Sequence, residues 1–458
     1  MDPVLAAPSI VTVLIIAWNL GTPSYWRDET ATLDAETRSI PALSHMLTDV
    51  DAVHGAYYLL MWPIVHTFGT SEIVLRLPSL LAMTVAAAGV AALGRRLHSP
   101  RAGLFAGLTF AVLPQVSRYG QEARCYALVL ACAVLASYLL VRATDEPSRG
   151  RLTGYACAIA ALGLLNLFGL LLLVGHTIFL LARHRTLLRH WLAAATLACL
   201  PVLPVIVMAW QQRNQLAWLT EPDATAPGNL AAWLAGSSAA VVILTVLIGL
   251  GLRQRTGRTA AWLALPWLLA PPLLLLAAAE LAMPVYVQRY VAYCLPALAL
   301  PVGVGLATIT VLPRVLALLL VAGLGLPTQL AQRQVDGHGD DIRPAADIIS
   351  AHEQPGDGVL YYCPSCRATD MPRDFSFGYP AAFGPLDDLA LAQSPAASGT
   401  LTGIDTDRPT LIRRLDGINR VWLVETGGNA VPAPLADSGL HLAALFPAGN
   451  VLVALYQR

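Results

Sequence analysis

The sequence predicts an all-α polytopic membrane protein of about 11 transmembrane helices, followed by a small α/β extracytoplasmic domain. Three observations predict it. Of the 458 residues, 56% are hydrophobic and 13% charged, about half the charge of an ordinary soluble domain. Apolar runs recur from Val4 to about Leu326 and then stop, and a membrane helix needs roughly 20 mostly apolar residues. Past residue 330 the pattern changes to short alternating and amphipathic segments separated by turn residues.

The first run, Val4 to Leu20, lacks a basic segment before it and a small-residue cleavage site after it. It reads as a retained helix rather than a cleaved signal peptide. Orientation follows from arginine, because cytoplasmic loops keep the positive charge. Arginines cluster at Arg95, Arg96 and Arg101; at Arg142, Arg149 and Arg151; from Arg183 to Arg189; at Arg253, Arg255 and Arg258; and at Arg314. Placing these five clusters in the cytoplasm puts residues 21–73, 115–125, a turn near Asn166, 210–229 and 281–289 outside. The tail then lies outside as well. Residues 1–329 form the membrane domain in this reading and residues 330–458 the C-terminal domain.

In the tail, 342–352 reads as an amphipathic helix. The Pro355-Gly356-Asp357 turn leads into a strand at 358–362. A helix at 410–415 and strands at 420–424 and 451–456 complete the α/β pattern. No internal repeat is visible, which weakens a transporter built from two related halves. Net charge is zero, so no basic patch argues for nucleic acid. The basic side chains are Arg and His, without Lys, a composition that suits a GC-rich genome such as that of an actinobacterium.

The outward loop 21–73 carries most of the chemistry. Asp28 and Glu29 follow the first span directly, and carboxylates at a membrane boundary need water, a partner or a task. Asp49, Asp51, His54, Tyr57 and Tyr58 follow, with an interfacial amphipathic helix expected at 41–47. Two more outward loops bring Arg118, Tyr119, Gln121, Glu122 and Arg124, and then Arg289 and Tyr290. A carboxylate accepts the proton of an attacking hydroxyl. Arginine forks stabilise charge growing on a leaving phosphate. A donor with a long lipid tail reaches such a site from the bilayer. No phosphate-binding Gly-Lys-Ser/Thr loop and no dinucleotide fingerprint is present.

These segments resemble the glycosyltransferase-C superfamily, and most closely its family 39, which holds protein O-mannosyltransferases and lipid A aminoarabinose transferases. The residues are Trp26-Arg27-Asp28-Glu29; Val53-His54-Gly55-Ala56-Tyr57-Tyr58; Phe68 to Glu72 running into Arg76-Leu77-Pro78-Ser79; and Ser117 to Tyr126. Arg289-Tyr290 ahead of Pro296 is a fifth match. The resemblance covers the first 130 residues or so, and the later spans by pattern. It implies inverting transfer of a sugar, of the mannose type, from a polyprenyl phosphate to a hydroxyl on a glycolipid, polysaccharide or protein. Asp28 is then the general base with Glu29 beside it, and Arg118, Arg124 and Arg289 hold the phosphate. Tyr57 and Tyr119 line the sugar or lipid path, with His54, Gln121 and Tyr290 as further substrate contacts. Gly55-Ala56 stands where the family has paired prolines, which opens the role of His54 and the acceptor subgroup.

Blander readings accompany each choice. Asp28 is a good helix cap. Glu29 has Arg27 or Arg124 to pair with, and Arg124 and Arg289 have Glu122 and Glu29. Arg76 snorkels or ties the loop to the second span, and Asp51 solvates the loop or orients His54. Glu280 sits at a span end, facing either the bilayer or water. Cys125, Cys132, Cys157, Cys199 and Cys294 read as small core residues. Cys363-Pro364-Ser365-Cys366 reads best as a local disulfide in an oxidising compartment, ahead of a redox pair or a zinc site with His338 and His352. No spacing resembles a dedicated metal loop, so no metal ligand is assigned, although a divalent cation suits gathered carboxylates. The rivals are a pentosyl, for example arabinofuranosyl, transferase; a lipid or solute transporter; and a non-catalytic scaffold.

Overall fold

The computed structural model describes residues 2–254, 257–339, 342–364, 366, 372–427 and 430–458. Arg255 and Ser365 lie outside the described residues. Contacts divide the chain into two compact units. One holds residues 1–20, 53–57 and 76–331, and the other holds 21–52, 58–75 and 332–458. The first outward loop therefore belongs, almost whole, with the tail.

The first unit is helical. Among the described residues six helices are long and apolar enough to cross a membrane: Glu72–Leu97, Tyr126–Asp145, Arg185–Gln211, Gly257–Leu281, Gln288–Thr308 and Val311–Ala331. The pair Ala226–Ala235 and Ser238–Arg253 bends by 78° and makes a seventh if counted as one span. Pro3–Ala17 and Leu167–Arg183 are apolar but shorter. The expected count of 11 exceeds this, because backbone breaks divide several apolar runs into pieces shorter than a span. Leu113-Pro114, for example, separates helix Pro100–Val112 from Pro114–Gly120, and a residue before proline disfavours helix.

Helix Leu295–Thr308 is the centre of this unit and is buried over nearly its whole length. It packs on Pro100–Val112 and Ser238–Arg253. Glycine makes the approach close enough: a Cβ on Gly303 would stand 2.5 Å from the Ala106 nitrogen, and one on Gly305 1.9 Å from the Leu247 oxygen. In lipid, where apolar burial between helices gives no drive, such backbone proximity supplies the packing energy. A polar joint adds to it: the His176 ring nitrogens meet Ser137 Oγ and Tyr155 Oη, each at 3.0 Å. Of the cysteines read as core, Cys125 and Cys294 are buried, Cys132 and Cys199 half-buried, and Cys157 exposed. Outward thiols suit a lipid-facing surface, because their hydrogen-bonding groups are weak. Glu280 is exposed on its helix.

The second unit is built on a five-stranded sheet. Its strands are β1 (Gly358–Tyr362), β2 (Asp387–Asp388), β5 (Arg420–Thr426), β6 (His441–Ala448) and β7 (Val451–Gln457), in the order β2-β1-β5-β7-β6. β3 (Leu391–Gln393) and β4 (Ile404–Asp405) form a separate antiparallel pair. β2, β1 and β5 run parallel, and β7 pairs antiparallel with β5 and β6. Strand alternation fills both faces. Val359, Tyr361, Trp422 and Val424 pack with Ile349 of helix Arg343–His352. Leu360, Val421 and Leu423 pack with Leu415 of helix Arg408–Asp416 on the other face. Apolar residues at successive positions of β1 and β5 are what a sheet covered on both sides demands. Asp357, just ahead of β1, is buried and accepts from Arg420 Nε at 2.8 Å and Trp422 Nε1 at 2.9 Å. Cys363 and Cys366 form the local disulfide.

The segment 21–73 is mostly helical: Arg27–Thr37, Ile40–Asp49 and Gly55–Phe68. Ser39 caps the second through the Ala42 amide, which confirms an amphipathic helix over 41–47 and extends it.

Candidate active site

In the first unit, Arg124 is 6% exposed and its Nη2 lies 3.0 Å from His54 Nε2. A guanidinium always donates, so Nε2 is the acceptor in this contact. His54 ends the short 3-10 turn Ala52–His54, directly before helix Gly55–Phe68, and lines a cavity of about 170 Å³ together with Tyr126, Asn166, Gln212 and Tyr290. Arg289, next in sequence to Tyr290, lies 6.0 Å from the Trp218 ring and 5.9 Å from that of Tyr290, within range of cation–π attraction. Tyr126, two residues beyond Arg124, shares that cavity with His54 and with Tyr290, the neighbour of Arg289. Three separated segments of sequence, around 54, 124 and 289, thus converge.

A larger polar groove of about 510 Å³ lies in the same unit, lined by Tyr119, Glu221, Asn229, Trp233, Tyr286 and Arg289. The Tyr119 ring lies tilted 5.0 Å from Tyr126 and edge-on 6.0 Å from Trp233, so it belongs to the wall that Arg289 also lines. Helix Ala226–Ala235 has two characters. Its Asn229 and Trp233 face the polar groove. Its Leu230 and Leu234 line an apolar cleft of about 320 Å³ with Leu244 and Leu273. The spacing is that of a helix with two faces.

The other residues named from sequence have more local tasks. Arg118 pairs with Glu122 at 3.2 Å, one helical turn apart. Gln121 is fully buried, and its Nε2 donates to the Ile16 and Trp18 carbonyls at 2.7 and 2.8 Å. That amide closes the C-terminal end of the first helix. Tyr57 is buried in the first unit. Arg76 is fully buried and donates to the Leu20 carbonyl at 2.9 Å, so it ties rather than snorkels.

Asp28 and Glu29 lie in the second unit, in the first turn of Arg27–Thr37. Trp26, not Asp28, is the cap residue of this helix. Carboxylates in a first turn are favoured by the helix dipole. Asp28 is half-buried and Glu29 fully buried. Farther along, Asp34 pairs with Arg38 at 2.5 Å, and Arg38 Nη2 also donates to the Thr400 carbonyl at 2.6 Å. Burial pushes the Asp34 carboxyl up to about 6, against the opposing pull of Arg38. Asp51 sits at φ 60° and accepts from the Tyr58 hydroxyl at 2.8 Å. Among the described residues, no group of three or more His, Cys, Asp or Glu side chains is arranged to hold a metal ion.

Sequence reasoning did not single out Asn166, Gln212, Trp218 or Trp233. The signal was a polar, aromatic run from Gln211 to Trp218 inside an outward segment.

The fold and this arrangement define a multi-pass membrane protein with the glycosyltransferase-C fold. Residues 56–210 match the family model described as dolichyl-phosphate-mannose-protein mannosyltransferase. Among solved structures, the chain is similar to ArnT from Cupriavidus metallidurans bound to undecaprenyl phosphate. The identity is 12%, the TM-score 0.65, and the match covers 99% of this chain and 97% of that one. It is also similar to the oligosaccharyltransferase AglB from Archaeoglobus fulgidus in complex with an inhibitory peptide and a dolichol-phosphate. There the identity is 10%, the TM-score 0.52, and the coverage 92% of this chain and 69% of that one. No curated protein matches the chain.

Proposed function

We propose that the protein is an inverting membrane glycosyltransferase. It moves a sugar, mannose in the first instance, from a polyprenyl phosphate to a hydroxyl of an extracytoplasmic glycolipid, polysaccharide or protein. The observation that supports this most is the two-faced helix Ala226–Ala235 beside Arg289. A lipid-linked sugar needs a polar groove for its head, a cation at the phosphate and an apolar cleft for its tail. All three adjoin in the first unit. The family model and the solved structures with bound polyprenyl phosphates support the same donor class.

In this reaction the acceptor oxygen attacks the anomeric carbon, and the bond from that carbon to the phosphate oxygen breaks. Asp28 takes the acceptor's proton. Arg124, braced by His54, and Arg289 stabilise the departing polyprenyl phosphate. Arg118 serves through Glu122, and Tyr119 and Tyr290 contact the sugar or lipid. Glu29, buried beside Asp28, shapes the field around the base.

The test is transfer by purified protein in lipid nanodiscs from a panel of synthetic polyprenyl-phosphate sugars, hexoses and pentoses, with the product identified by mass. Transfer from one donor, abolished in Asp28→Asn, is the expected result. Inertness toward every lipid-linked donor overturns the enzyme reading.

A further inference from the structure

The segment 21–26, which leads into the helix bearing Asp28, is held by the C-terminal domain. Arg343 Nη1 donates to the Thr22 carbonyl at 2.9 Å and Nη2 to the Gly21 carbonyl at 3.1 Å. The same Nη2 pairs with Glu72 Oε1 at 2.7 Å. The Arg343 backbone amide donates to Ser24 Oγ at 3.0 Å, and the Ser24 amide to the Val335 carbonyl at 2.8 Å. Tyr379 acts as a relay: its hydroxyl donates to Glu72 Oε1 at 3.1 Å and accepts from the Tyr25 amide at 3.2 Å. The Tyr25 hydroxyl donates to the Thr70 carbonyl at 2.6 Å. Gly378 packs so closely that a Cβ there would stand 3.1 Å from the Thr30 methyl. All these residues belong to the second unit.

A helix that merely needed an anchor would be served by one or two such bonds. Here the Arg343 guanidinium grips the Gly21, Thr22 and Pro23 carbonyls, the Tyr379 phenol accepts from the Tyr25 amide, and the Glu72 carboxylate holds both side chains in place; Asp28 follows within the next helical turn. We propose that Arg343 and Tyr379 are positioning residues. They set the start of the Arg27–Thr37 helix and thereby aim the Asp28 carboxylate, with Glu72 as their shared acceptor. The C-terminal domain is in this sense part of the catalytic apparatus. The inference rests on the reading of Asp28 as general base. A displacement of about 1 Å at a reacting group lowers a rate by up to 10²-fold.

The test uses the full chain in nanodiscs and the variants Arg343→Gln, Arg343→Lys and Tyr379→Phe. Expected for Arg343→Gln and Tyr379→Phe is a fall in kcat of about ten- to hundredfold with donor KM unchanged. Arg343→Lys, which keeps the charge toward Glu72, recovers part of the rate. Hydrogen exchange at amides 24–30 rises in the first two variants while the membrane helices exchange as in the parent. Unchanged kcat, or exchange that rises throughout the molecule, overturns the proposal. The exchange measurement needs no substrate, so it separates this idea from the functional reading. If Asp28→Asn proves fully active, the catalytic half of the proposal falls whatever the exchange shows.

Discussion

Asp34 offers a prediction whose sign and magnitude follow from its burial beside Arg38. Its carboxyl is 6% exposed, pairs with Arg38 at 2.5 Å, and titrates at about 6 rather than 3.8 because burial outweighs the ion pair. The folded state therefore binds this proton at a pH where the unfolded chain does not. For a carboxyl raised on folding, the stability it contributes is present below the unfolded value and lost as pH rises through the folded one. Between pH 7.5 and pH 5.0 the parent should gain on the order of 1 kcal/mol relative to Asp34→Asn, which has nothing to titrate there. In thermal unfolding this is roughly 3 °C for a domain of moderate size. The assay is the melting temperature of both proteins in detergent across that range. Other titrating groups cancel in the difference between the two curves. A difference that stays flat, or moves the other way, would show that Arg38 keeps Asp34 ionised and that burial does not dominate.

Three further outcomes are expected. Gly305→Ala places a Cβ 1.9 Å from a backbone oxygen of the neighbouring helix and should lower folded yield by the equivalent of about 3 kcal/mol. Gly249→Ala, with nothing within 4 Å of its new methyl, should be neutral in the same size-exclusion assay. Trp422→Phe removes the 2.9 Å bond to buried Asp357 and should destabilise the chain by about 1–3 kcal/mol in thermal unfolding. His54→Phe takes the acceptor from Arg124 Nη2 and should slow transfer about tenfold. His54→Gln keeps an acceptor there and should recover most of the rate.

Much of this was legible in the sequence, for reasons that differ from place to place. Long apolar runs reveal helices because lipid admits few other solutions. β1, β5 and β7 were visible through alternation and turn signals. β6 was not: it is an edge strand with its outer positions exposed, Pro447 inside it and a register shift between Leu442 and Ala444, features that argue against a strand. The Arg27–Thr37 helix was hidden for another reason. Its buried face includes Glu29, Asp34 and Glu36, and no hydrophobic period marks a face made of carboxylates. The convergence of Arg124 with His54 was expected only from order along the chain and outward placement. The Arg343 grip on segment 21–25 was beyond reach, because it pairs residues more than 300 positions apart.

The two sets of bonds around Leu20 and Gly21 bear on how the proposed base, Asp28, is held by the chain that leads to it. Within the first unit, Arg76 donates to the Leu20 carbonyl and so ties the end of segment 1–20 to the start of segment 76–331. Within the second unit, Arg343 clasps the Gly21 carbonyl and Glu72. Each pair of segments is therefore tied within its own unit by a buried or half-buried guanidinium. Arginine suits both places, since its fork reaches several carbonyls at once and its charge is never lost. A lysine at either position would keep the charge and lose the fork. The path from Leu20 to Asp28 is then short, and most of it is clamped. Its remaining freedom lies in the entry of a single helix, the element on which the proposed base depends.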